Sequence, residues 1–130
     1  MSVATVPVLV FSDDSTTRKA VVEGVGIKAS KDTPRIEWVE AATTFGVVEA
    51  VKEQDFALII LDAETQGHGG MGVAKELQNV IEEDLPPLLF LTARPQDEWL
   101  ATWAGASAVV TAPLSPIVLQ ETVASLLGGR

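Results

Sequence analysis

Short apolar runs rich in β-branched residues recur along this chain at 6–11, 57–61, 88–91 and 107–111, and a weaker one, RIEWV, occupies 35–39. Between them lie longer segments whose apolar residues return every three or four positions. The first pattern predicts strands and the second predicts helices with one apolar face. Helices are expected over about 14–25 with Ala20, Val21, Val22 and Val25, and over 43–53 with Phe45, Val48 and Val51. Three more are expected over 72–83 with Val73, Leu77, Val80 and Ile81, over 96–104, and over 115–127. Strands and helices therefore alternate, which is the order of successive βα units.

Runs such as LIIL and LLFL show no polar alternation, so both faces of these strands must be covered. Helices on both sides of a parallel sheet do this. The right-handedness of βαβ crossovers then leaves few topologies, and the expected fold is α/β: a five-stranded, doubly wound parallel sheet of flavodoxin-like order 2-1-3-4-5. At 130 residues and 47% hydrophobic, the chain has the size of one domain spanning 1–130, with no repeat or linker inside it.

In such a sheet the carboxyl ends of strands one and three flank a crevice. Asp62 ends the third strand, Asp13 and Asp14 follow the first, and Thr92 ends the fourth. Carboxylates that converge repel one another, and a bound cation or a raised pKa relieves the repulsion. Oxygen ligands point to Mg²⁺, which keeps waters and leaves room for phosphate oxygens. Carboxylate, Mg²⁺ and a hydroxyl are the parts needed to accept a phosphoryl group on an aspartate. Each residue also has a plainer reading. Asp62 can be a loop acid after a core strand, Asp14 can cap the helix that begins near Ser15, and Thr92 can be a strand-end hydroxyl.

Charge and composition narrow the partners. Eighteen acids stand against nine Lys and Arg, giving a formal net charge of −9, and the bases are scattered. Nucleic acid, whose binding is driven by phosphate neutralisation, is not an expected partner. No apolar run reaches the roughly 18 residues of a membrane span, and the N-terminus lacks a basic region before an apolar core, so membrane insertion is not expected and a cytoplasmic location is. With no cysteine, disulfides and thiolate sites are excluded. The only histidine, His68, lies in a glycine-rich loop that lacks the order of a nucleotide-phosphate cradle and is expected to be solvent-exposed there.

The stretches VLVFSDDSTTR, ALIILDAE, MGVAKEL, LLFLTAR and GASAVVTAPLSPIVL, in this order and spacing, resemble the CheY-like receiver domains of bacterial response regulators over nearly the whole chain. Within that family the chain is most similar to the stand-alone orphan receivers of actinobacteria. The resemblance implies that Asp62 is the phosphoacceptor and Thr92 the hydroxyl that bonds the phosphoryl group. Counting back from Arg18, it sets Ser12 and Asp13 at the positions of the acidic pair. It implies a Mg²⁺ site from Asp13, Asp62 and the backbone carbonyl of Glu64, with Asp14 a further candidate.

Three departures stand out. Ala112, before Pro113, occupies the place of the site lysine; Val109 occupies that of the aromatic switch residue; and the loop DAETQGHGGMG is about two residues longer than usual. The isomer of the Ala112–Pro113 bond stays open. Trp99 and Trp103, four apart on one helix face, fall in the region that receivers use for partners, made by the fourth helix, fifth strand and fifth helix. They are candidates for a partner surface or a homodimer face, and equally for core packing.

The expected function is thus a stand-alone, atypical receiver that signals through protein–protein contact. It would be a module and not an enzyme, with phosphorylation of Asp62 weakened or dispensable because Ala112 replaces the lysine. The alternative is a conventional phosphorelay receiver served by a histidine kinase. A flavodoxin-like flavin or nucleotide binder comes last: Ser12, Ser15, Thr16 and Thr17 favour a phosphate, whereas Asp13 and Asp14 repel one and there is no tyrosine to stack on a flavin.

Overall fold

Each apolar run becomes a strand because two layers of helices remove both of its faces from water. β3 (Leu58–Asp62) and β4 (Leu88–Thr92) are buried at every position. The computed structural model describes residues 5–64, 69–80, 85–97, 101–102 and 105–128. Within these, β1 (Thr5–Phe11), α1 (Ser15–Val25), β2 (Arg35–Ala41) and α2 (Thr44–Glu53) precede β3. After it come α3 (Gly69–Val80), β4, a 3₁₀ turn at Pro95–Asp97, β5 (Ala108–Thr111) and α4 (Pro116–Gly128). The five strands are parallel and ordered β2-β1-β3-β4-β5.

Alternation along the strands divides the interior in two. Val8, Val10, Ile60 and Leu91 pack with Val21 and Val25 of α1 and Leu119 and Val123 of α4. Leu9, Phe11, Leu61 and Phe90 pack on the other side with Val47 of α2 and Val73, Ala74 and Leu77 of α3. At about 1.5–3 kcal/mol for each fully buried large apolar side chain, these two layers dominate the stability.

Local signals set the helix ends. Asp14 caps α1, its carboxylate accepting from the Thr16 N–H at 2.9 Å. α1 stops at Gly26, whose φ of 80° and ψ of −160° lie in a region that only glycine occupies freely. The indole of Trp38 on β2 donates to the Gly26 carbonyl at 2.9 Å and ties that end to the edge strand. Thr43 caps α2 by accepting from Gly46 N–H.

Phe45 departs from the expected apolar face of α2. It is 73% exposed, and Val47 is the buried residue in its place. Thr43 is the cap, so Phe45 sits in the first turn, beyond the reach of the core. α3 begins at Gly69, three residues before the predicted start. Of the segment 96–104, the start is the 3₁₀ turn, and Ala101 and Thr102 are helical with Ala101 fully buried. His68, Trp99 and Trp103 lie outside the described residues. The Ala112–Pro113 bond is cis.

Candidate functional site

Strand register and period-two alternation decide which polar side chains meet. Phe11 lies beside Leu61, so Ser12, one step on, comes level with Asp62. Val8 and Val10 face the α1/α4 layer, as do Leu58 and Ile60, and the same alternation points Ser12 and Asp62 to that side. The Ser12 hydroxyl donates to Asp62 Oδ2 at 2.7 Å, with Ser12 fully buried and Asp62 only 7% exposed. Thr92 pairs with Thr111 in the β4–β5 register, and their hydroxyls are 3.1 Å apart. Alternation sends both to the opposite layer, because Phe90 and Val109 precede them on that side.

The Asp62 carboxylate is held at both oxygens, since Oδ1 accepts from the Glu64 N–H at 2.8 Å. Ser12 Oγ also accepts from the Asp14 N–H at 3.0 Å. Arg18 donates from Nη1 to the Ser12 carbonyl at 2.6 Å and from Nε to Glu40 at 3.0 Å, which fixes the end of β1 against the end of β2. Across the crevice, Glu64 Oε2 accepts from the Ala93 N–H at 3.0 Å, so one residue bridges the exits of β3 and β4. Beside it, Arg94 is held charged first by its hydrogen bonds to Asp97, at 3.0 and 3.1 Å, then by the charges of Asp97 and Glu64.

A cavity of about 150 Å³ opens here, lined by Thr17, Asp62, Glu64, Thr92 and Ala112 among others, with Leu91 and Leu114 supplying apolar wall. It has room for a phosphoryl group with a few waters. Pockets for drug-sized ligands run to about 300–1,000 Å³, so this one is small by comparison.

Mg²⁺ is the ion that the family's receivers generally hold at this place, and Asp62 is the buried carboxylate here that would ligate it. Both Asp62 oxygens already accept a donor. Ser12 brings a proton where a metal ligand would bring charge, and the Asp14 carboxylate is engaged in capping α1. Among the described residues no three or more His, Cys, Asp or Glu are grouped so as to hold an ion.

Of the residues singled out in the sequence, Asp62, Glu64, Thr92 and Ala112 line this one cavity. Asp13 is exposed, Asp14 is a helix cap, and Val109 is half-buried against the α2/α3-side core. Three participants were not legible there. The resemblance points to Glu64 only through its backbone carbonyl, whereas its carboxylate accepts from Ala93. The Ser12–Asp62 bond needed the β1–β3 register. Thr111 needed β4–β5 pairing.

A doubly wound sheet with a buried aspartate at its switch point is the architecture of a receiver module. Two response regulatory proteins from different strains of Mycobacterium tuberculosis are each 43% identical to this chain over 120 residues, covering 92% of it and 90% of the relative. The chain therefore belongs to the response regulators, as a receiver domain of two-component signal transduction. Its fold matches the chemotaxis protein CheY4 of Vibrio cholerae at a TM-score of 0.77 and 21% identity, covering 95% of this chain and 100% of that one. It matches the receiver domain of NtrX from Brucella abortus at 0.77 and 19%, covering 95% and 99%. No family model matches the chain. No helix among the described residues is long and apolar enough to cross a membrane.

Proposed function

We propose that this chain is a stand-alone, atypical receiver that signals by binding another protein, with Asp62 in the phosphoacceptor place and its phosphorylation weak or dispensable. The observation that carries this reading is the cavity that Asp62 lines, where Ala112, with Leu114 and Leu91, is among the other lining residues. Phosphoryl transfer to Asp62 would form a bond from a carboxylate oxygen to phosphorus and break the bond to the leaving group, which departs with its electron pair. Charge builds on the transferred oxygens during this step, and catalysis consists of neutralising it. Ala112 offers a methyl group for that purpose. Losing one charge-assisted donor at such a site costs about 1.5–3 kcal/mol.

Mg²⁺ binding is correspondingly weak in this reading, and the module is not an enzyme. The partner face is the surface around β5 and α4, where Ile117 and Val118 are exposed apolar side chains in the first turn of α4. The partner is a kinase or effector protein, or a second copy of the chain.

Intact-mass spectrometry after incubation with acetyl phosphate and Mg²⁺ tests the reading. A slow, substoichiometric phosphoryl adduct is expected in the wild type and none in Asp62→Asn. A rapid, stoichiometric adduct would instead make this a conventional phosphorelay receiver.

A further inference from the structure

The mouth of the crevice holds a contact that acceptance at Asp62 does not require. Glu64 lies two residues past Asp62, and its own N–H donates back to Asp62 Oδ1 at 2.8 Å. This turn carries the Glu64 side chain toward the exit of β4, where Oε2 accepts from the Ala93 N–H at 3.0 Å. Ala93 follows Thr92 directly, and both line the cavity with Asp62. A backbone N–H at the mouth of a cavity is a donor for an oxyanion, because phosphate oxygens and carboxylate oxygens accept from it in the same way. Here that donor already has an anionic acceptor from the same chain. The nearby cation is engaged as well, since the Arg94 guanidinium is forked onto Asp97 through Nε and Nη2.

We propose that Glu64 is a built-in competitor for an oxyanion subsite, its carboxylate occupying the Ala93 N–H that a phosphate or phosphoryl oxygen would take, so that such a group enters only by displacing it. Two effects act together. The donor is occupied, and a negative charge stands where a second one would have to approach. The ligand class is a tetrahedral oxyanion, free or carried by Asp62; only the second case rests on the phosphoacceptor reading above.

The test uses the full chain, ¹⁵N-labelled, titrated with inorganic phosphate while the Ala93 amide is followed by NMR. In Glu64→Ala the Ala93 resonance is expected to move before any phosphate is added, because it has lost its acceptor. It should then respond to phosphate with an affinity about tenfold above wild type, equivalent to about 1.4 kcal/mol. Glu64→Gln should fall between the two, keeping an acceptor without the charge. An Ala93 resonance identical in wild type and Glu64→Ala, or equal phosphate affinity in both, would overturn the proposal. Acetyl phosphate added to the same proteins separates the two ideas. If no variant forms an adduct, the phosphoacceptor reading fails while the phosphate titration still decides this one.

Discussion

On the β1–β3 side of the crevice polar groups hold one another: Ser12 and the Glu64 N–H hold Asp62, and Arg18 clamps Ser12 to Glu40. On the β4–β5 side the cavity wall is formed by Leu91, Ala112 and Leu114, and the Thr92 hydroxyl is engaged with Thr111. The contrast shows hydrogen bonds from its own side holding a buried carboxylate. Hydrogen bonds to a charged group are worth about 1.5–3 kcal/mol each, so two donors from its own side offset much of the desolvation of Asp62. What they cannot do is attract a second anion, and Leu91, Ala112 and Leu114, which also line the cavity, carry no charge for that purpose.

The largest break in this contrast is to restore a charge on the bare wall. Ala112 is exposed at its rim, so Ala112→Lys needs no repacking. It is expected to raise the rate of adduct formation with acetyl phosphate by about tenfold to a hundredfold, read by intact mass over time. Next is the removal of a donor from the satisfied wall. Ser12→Ala takes one donor from Asp62 and one acceptor from the Asp14 N–H, and should lower stability by about 1–3 kcal/mol in urea unfolding. The smallest effect is expected from Thr92→Val, which removes the hydroxyl pair with Thr111 and nothing from Asp62. A loss of about 0.5–1.5 kcal/mol is expected, measured in the same way. If Thr92→Val instead cost more than Ser12→Ala, the two walls would have been assigned the wrong roles.

The fold was legible because its signals are redundant. Four apolar runs without polar alternation, spaced by helical segments, leave little besides a covered parallel sheet, and crossover handedness leaves few orders, of which β2-β1-β3-β4-β5 is the one observed. Helix faces were less so. Phe45 and Val47 both belong to an apolar stretch, and only the position of the Thr43 cap decides which of them reaches the core. Within the site, residues at strand ends could be named because a strand end is a one-dimensional feature. Pairings such as Ser12 with Asp62, 50 positions apart, depend on register between strands and are invisible along the chain. The Glu64–Ala93 bond is hidden for the same reason, since it joins the exits of two different strands.

The hydroxyl of Ser12 has one proton, and the direction in which it points orders its neighbours. Because Asp14 N–H aims at Ser12 Oγ, the proton is sent onward to Asp62, so the start of α1 and the end of β3 share one polarity. Any chemistry that removed the negative charge from Asp62 Oδ2 would leave this relay pointing at a poor acceptor. The first turn of α1, through Asp14, would then register the event before any distant surface did.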